Sequence, residues 1–239
     1  MKGVRENMKV ELISYSKVSE NIVDDLNKDL NLQELVAYCA RVSNPNNQKN
    51  IDTSDKLLKY LIKNKHWSPF EMVSVCLSIE TTRDIARQIL RHRSFSFQEF
   101  SQRYADPVKD LNFVPREARL QDTSNRQNSI ELDFRQQEHR DIARWWRDEQ
   151  TTIIKQVKEL YNAAISQGIA KEVARAILPE GLTMSRMYMN GTLRSWIHYI
   201  QLRSANGTQQ EHMEIARECA KVIALVFPFV KEYINEHEA

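Results

Sequence analysis

Met72-Val73-Ser74-Val75-Cys76-Leu77-Ser78-Ile79-Glu80, running straight into Thr81-Thr82-Arg83-Asp84, is the stretch on which the fold turns. Its first part is the best strand candidate in the chain. Thr81 and Asp84 have the spacing of a capping box and open a helix whose Ile85, Ala86, Ile89 and Leu90 face a core. Arg83, Arg87 and Arg91 recur every four residues and share one neighbouring stripe. A strand delivered directly into a helix calls for a mixed architecture.

Upstream, Val10 to Tyr15 reads as a first strand, and Asn21 to Val42 as helix in one piece or two. The turn cluster Ser43-Asn44-Pro45-Asn46-Asn47 precedes a helix over Ser54 to Asn64, and Ser68-Pro69 marks the break after it. Downstream, Gln121 to Gln137 is polar and predicts a loop or excursion. A long helix from Glu138 to Gln167 should bury Ile142, Trp145, Ile153, Val157, Leu160 and Ala164, with one of Trp145 and Trp146 inside. Short helices around Lys171–Leu178 and Leu193–Leu202 follow, and Glu211 to Phe227 closes the chain as a striped helix. No internal repeat and no linker rich in Gly, Pro or Ser divides it. A single domain, 1–239, helix-rich with a small sheet near the front, is the simplest reading.

The 239 residues carry 34 Lys plus Arg against 32 Asp plus Glu, so bulk charge does not drive nucleic-acid binding. Only five glycines occur (Gly3, Gly168, Gly181, Gly191, Gly207), no two closer than ten positions. That spacing excludes both GxGxxG and Walker A loops, so any phosphate must be held by arginines, hydroxyls and helix N-termini. Cys39, Cys76 and Cys219 form no CxxC and read as three buried thiols in a reducing compartment. No run approaches the roughly 20 apolar residues of a membrane span, and Met1 to Asn7 leads into no signal-type apolar run. The expectation is a cytoplasmic protein, in the host's compartment for a viral chain, with no membrane partner.

The densest polar segment is Arg87-Gln88-Ile89-Leu90-Arg91-His92-Arg93-Ser94-Phe95-Ser96-Phe97-Gln98-Glu99-Phe100-Ser101-Gln102-Arg103-Tyr104, with four arginines and three serines in eighteen positions. Planar guanidinium forks beside hydroxyls suit the phosphate of a small ligand. A solvated helix end is the plain alternative. A nucleic-acid module stacking bases on Phe95, Phe97 and Phe100 is a further one, disfavoured by the charge balance. Cys39, Cys76 and Cys219 sit in ordinary settings and are assigned no catalytic role. His139, His212 and His237 belong to no motif, and no HxxxH or HExxH spacing marks a metal site.

Arg91-His92-Arg93, seven residues, then Ser101-Gln102-Arg103-Tyr104 resembles the signature of flavin-dependent thymidylate synthases. Ala40-Arg41-Val42-Ser43, His66-Trp67-Ser68-Pro69-Phe70-Glu71, Arg175-Ala176-Ile177-Leu178-Pro179, Leu193-Arg194-Ser195 and Leu202-Arg203 resemble other family segments in order and spacing. Gly207, His198 and Thr192 depart from residues frequent at those positions in the family. The resemblance implies an α+β fold around a small, mostly antiparallel sheet with no Rossmann domain. It also implies conversion of dUMP to dTMP, with methylenetetrahydrofolate as carbon donor and NADPH as reductant through bound FAD, in a homotetramer whose active sites lie at subunit interfaces. A catalytically silent flavin-binding relative is the alternative within the family.

By the same resemblance, Ser43, Ser68, Glu71, Arg91, His92, Arg93, Gln98, Glu99, Arg194, His198 and Leu202 lie on the FAD side. Gln88, Arg91, Glu99, Ser101, Gln102, Arg103 and Arg175 hold dUMP, Arg203 approaches the uracil ring, and His66 lies where flavin and folate meet. Arg203, Glu99, Ser101 and His66 are thus the catalytic candidates. Ser101 as a nucleophile needs a base within reach; a hydroxyl that donates to phosphate or ring is the simpler role. His92, beside two arginines, is expected to stay neutral, because nearby positive charge disfavours imidazolium.

Overall fold

The computed structural model describes residues 8–26 and 28–231; Met1 to Asn7 and His237 lie outside the described residues. The chain order is β1 (Lys9–Tyr15), α1 (Glu20–Leu26), α2 (Leu32–Ala40), α3 (Ser54–Lys63), β2 (Ser74–Thr82), α4 (Arg83–Ile89), β3 (Ser96–Glu99) and α5 (Pro107–Asp110). Then come β4 (Arg119–Gln121), β5 (Ser129–Glu131), α6 (Gln137–Ser166), α7 (Lys171–Ala174), β6 (Met184–Thr192), α8 (Leu193–Arg203) and α9 (Gln210–Ile223). Short 3₁₀ turns lie at Ser68–Glu71 and Arg175–Ile177.

The main sheet has the order β1-β2-β6-β3, every pair antiparallel. β2 and β6 pair along their whole length, from Ser74 opposite Thr192 to Thr82 opposite Met184. Val75, Leu77 and Ile79 of β2, with Met187 and Met189 of β6, are fully buried on one face. The other face carries polar groups, with Glu80 paired to Arg186 across the strands at 2.7 Å. Helices α4, α8 and α9 cover the apolar face through Ile85, Trp196, Ile200, Ile215 and Ile223. Trp196, fully buried, donates its indole N–H to the Val75 carbonyl at 3.0 Å, so its one polar atom is satisfied.

Both sheet-forming strands that meet at the centre end in the same device. β2 passes into α4 at Thr82 and β6 into α8 at Thr192, each threonine holding extended backbone at the N-cap. The cap of α4 is therefore Thr82, while Thr81 is the penultimate residue of β2; the Thr81–Asp84 capping box does not form. Instead the Thr82 hydroxyl donates to Asp84 at 2.6 Å.

Four further expectations are corrected. β6 and β3 are strands that the sequence reading lacks, so the sheet spans the chain and is not confined to its front. The polar segment 121–137 contains β5 and the end of β4, a two-stranded hairpin. The face of α6 expected inside is largely outside: Trp145 is 60% and Leu160 57% exposed, with Trp146 and Ile153 also exposed. Its buried positions are Gln150 and Tyr161, Gln150 clamping both backbone groups of Arg116. Of the cysteines only Cys219 is fully buried, Cys39 and Cys76 being half-buried, and burial raises all three thiols above their ordinary range. Among the described residues no helix is long and apolar enough to cross a membrane.

Candidate active site

The signature loop begins where α4 ends. Phe95 turns inward and its ring lies against the backbone of Gly191 in β6, where a Cβ would come within 2.4 Å of it. The same ring meets Trp196 edge-on at 4.8 Å, and Ser195 donates its hydroxyl to the Ser94 carbonyl at 3.2 Å. An apolar anchor at Phe95 thus fixes a loop whose Arg91 and Arg93 remain exposed.

His92 is half-buried and faces α8. Arg203 Nε donates to His92 Nε2 at 2.9 Å, and the imidazole stands edge-on to Tyr199 at 4.9 Å. Burial, then the Arg203 charge, lowers the His92 pKa to about 4. The ring is neutral, as the sequence predicts, but the positive neighbour responsible is Arg203. Because Nε2 accepts, the proton sits on Nδ1. Arg203 keeps both terminal nitrogens outside this bond.

Glu99, on β3, is clamped from three sides. Ser185 of β6 donates its hydroxyl at 2.9 Å, Arg87 approaches within 3.4 Å and buried Arg83 within 3.8 Å. Both arginines also face Glu180. Arg83 and Arg87 belong to the stripe read from the sequence; Ser185 lies in the strand that reading lacks.

Glu71, in the 3₁₀ turn that also holds exposed Ser68, accepts a hydrogen bond from Arg194 on α8. One helical turn on, His198 meets Trp67 edge-on at 4.6 Å. Burial, then the Arg194 charge, lowers the His198 pKa. This second cluster brings together Ser68, Glu71, Arg194 and His198. Leu202 is exposed a turn further along the same helix.

A third cluster joins the far end of the signature to α7. Arg103 pairs with Glu172 at 3.2 Å, and Lys171 donates to the Tyr104 carbonyl at 2.9 Å. Arg175 follows in the 3₁₀ turn after α7. Ser101 is exposed; Gln102 beside it is 3% exposed, and its Nε2 has no hydrogen-bond partner among the described residues. Gln98 is exposed on β3. Ser43 is exposed beyond α2, where the buried Arg41 holds Asn50 and Thr53. The His66 ring packs edge-on against Tyr60 at 6.2 Å. No hydrogen bond or ring contact joins Ser43 or His66 to the three clusters among the described residues.

Gln88, on α4, reaches Gln209 and His212. Arg116, Arg119, Gln209, Glu211 and His212 all enter polar contacts behind the signature helix, yet the sequence reading gives them no role. Arg116 and Arg119 lie just before and at the start of β4, and Gln209, Glu211 and His212 at the polar start of α9, so nothing in the sequence signals that they meet. Among the described residues, no group of three or more His, Cys, Asp or Glu could hold a metal ion.

The family model described as "Thymidylate synthase complementing protein" matches residues 25–229. A probable flavin-dependent thymidylate synthase of Paramecium bursaria Chlorella virus 1 is 47% identical over 228 residues, covering 95% of this chain and 99% of the relative. The flavin-dependent thymidylate synthase of Synechocystis is also 47% identical, over 223 residues, covering 93% of this chain and 97% of the relative. The crystal structure of the UMP/dUMP methylase PolB from Streptomyces cacaoi, bound with 5-Br UMP, superposes with a TM-score of 0.74 at 25% identity, covering 96% and 94% of the two chains. A family match over most of the sequence, two near full-length relatives and a shared fold lead to one conclusion: the chain belongs to the flavin-dependent thymidylate synthase family.

Proposed function

We propose that this protein makes dTMP from dUMP by reductive methylation, with methylenetetrahydrofolate as carbon donor and NADPH as reductant through bound FAD. The observation that carries the reading is that, of the eight arginines without an ion pair among the described residues, four lie in the signature and the later segments that follow it. Arg91, Arg93, Arg175 and Arg203 form no ion pair among the described residues, although charged residues of both signs are abundant. Uncompensated guanidinium forks match phosphate oxygens. The buried donor of Gln102 and the buried Ser204 hydroxyl, neither with a hydrogen-bond partner among the described residues and each beside a residue of this set or of the signature, fit the same demand for a polar ligand. The donor set therefore suits two phosphate-bearing ligands, FAD among them.

Arg91, Arg93, Arg194 and Glu71, with Ser43, Ser68, Gln98, His198 and Leu202, would hold FAD, which when bound supplies the hydride and electron chemistry. Gln88, Ser101, Arg103 and Arg175 would bind dUMP, turning remote phosphate contacts into positioning of the ring. Arg203 would aim its terminal nitrogens at a uracil carbonyl oxygen, where negative charge grows as C5 or C6 reacts. Neutral His92 serves this role by accepting from Arg203 Nε without adding a competing negative charge. Ser101 would position the nucleotide through its hydroxyl.

The three clusters involve separate surface segments, and the exposed stripe Trp146, Ile153 and Leu160 recurs every seven residues along α6. Both features support a homotetramer in which neighbouring copies complete each site. The test is direct. The purified protein should be yellow, absorbing near roughly 450 nm as bound flavin does, bleach with NADPH, release tritium from C5-labelled dUMP and form dTMP only when folate is added. A folded protein that binds flavin but neither releases tritium nor forms dTMP would overturn the activity.

A further inference from the structure

Behind the signature helix, the start of α9 buries two polar side chains in succession: Glu211 is 2% exposed and His212 fully buried. A buried carboxylate is tolerated only when charge and hydrogen bonds compensate it. Glu211 Oε1 accepts from Arg119 Nη2 at 2.6 Å, with Arg116 Nε 3.7 Å away. Its other oxygen accepts from Gln209 Nε2 at 3.0 Å. Burial pushes this carboxyl up, and the charge of Arg116 with the hydrogen bond from Arg119 outweighs it, so the group stays ionised.

From that anion every neighbour's direction follows. A carboxylate only accepts, so Gln209 must turn its NH₂ toward Glu211 and its carbonyl toward Gln88. Gln88 Nε2 donates to that carbonyl at 2.7 Å, which leaves Gln88 Oε1 facing His212 Nδ1 at 3.3 Å. An amide oxygen only accepts, so the imidazole proton sits on Nδ1. His212 Nε2 then accepts from the Tyr199 hydroxyl at 3.1 Å. Burial, then Arg203 and His92, lowers the His212 pKa to about 3, consistent with one proton on the ring. The chain runs one way, Tyr199 to His212 to Gln88 to Gln209 to Glu211. Turning the Gln88 amide over would set carbonyl against carbonyl at one end and N–H against N–H at the other.

We propose that Glu211, Gln209 and His212 are positioning residues that lock the Gln88 carboxamide in one orientation, so that it offers dUMP one fixed N–H and one fixed lone pair. The proposal rests on the reading that Gln88 touches dUMP. It goes beyond that reading by making nucleotide affinity depend on a carboxylate two amides away.

Calorimetric titration of the holoenzyme with dUMP, alongside steady-state kinetics, tests it. His212→Leu and Gln209→Met should each weaken dUMP binding and raise its KM roughly tenfold, the loss of about one oriented hydrogen bond, while kcat stays within about twofold. His212→Asn, whose side-chain N–H stands in for Nδ1–H, should recover most of that affinity. Gln209 is only partly buried, so its variant keeps the test open if His212→Leu lowers solubility. Unchanged dUMP affinity in both variants, a loss confined to kcat, or a His212→Asn protein no better than His212→Leu would each overturn the relay. If the wild-type protein itself binds no dUMP, the functional reading fails with it.

Discussion

Arg203 is oriented by a hydrogen bond to a ring that carries no charge. Arg203→Ala should therefore abolish dTMP formation while flavin absorbance persists, measured by product assay and visible spectrum on the same sample; coincident loss of the flavin would contradict a role centred on uracil. Gly191 illustrates a different constraint. Because a Cβ there would meet Phe95 at 2.4 Å, Gly191→Ala must push the ring off the sheet and carry the Arg91–Ser94 loop with it. The expected cost is about 1–3 kcal/mol, the range for overpacking, read from urea denaturation. Lys65 shows local strain of the opposite consequence. It follows α3 at φ 58°, a left-handed position, and its N–H bonds the Ile62 carbonyl. Lys65→Gly should stabilise the fold by about 1 kcal/mol, since glycine adopts that conformation without a Cβ clash.

At the scale of elements, α6 is the instructive case. Its apolar stripe was legible, but the side on which its partner lies was not, because periodicity reports a face and not what covers it. If copies of the chain pack along this helix, Trp146→Ser with Leu160→Ser should shift the protein to smaller species in sedimentation velocity with little change in its circular dichroism. An unaltered sedimentation coefficient would remove α6 from the interface. β2 and the helices on either side could be read because Val and Ile concentrate in the strand and the helical periods are regular. β6 escaped for physical reasons: its buried positions are Met184, Ser185, Met187, Met189 and Gly191, none of them a β-branched or aromatic residue, and Asn190-Gly191 mimics a turn. The alternation of Met187 and Met189 with Arg186, Tyr188 and Asn190 was the available signal. In the site, the arginine-rich signature was visible because its members are contiguous. The Gln88–Glu211 relay was not, since its partners lie 121 residues apart in the Gln88–Gln209 bond and meet only through the fold.

For the whole molecule, two imidazoles held neutral, half-buried His92 and fully buried His212, set an acid limit. His92 and His212 have pKa values near about 4 and about 3 in the folded protein, against 6.5 when unperturbed. The unfolded chain therefore binds more protons once pH falls below 6.5, and stability declines as pH drops from there toward the folded values. For His212 alone the loss by pH 5 is about 2 kcal/mol. Melting temperatures should fall between pH 7 and pH 5, and His212→Asn, which cannot titrate, should flatten that slope. A slope unchanged by the substitution would mean that other groups govern the acid limb.

The pairing of β2 with β6 reaches across about a hundred residues of intervening chain, including the 30-residue α6. During synthesis, β2 leaves the ribosome well before its central neighbour exists, and its apolar face waits uncovered while α8 and α9 are still being made. Closure of such a sheet is governed by the search for a distant partner, not by the speed of helix formation. The nascent chain consequently stays aggregation-prone until α8 and α9 have been made and can cover that face, and chaperone binding or cold-temperature expression should raise soluble yield by acting on that interval.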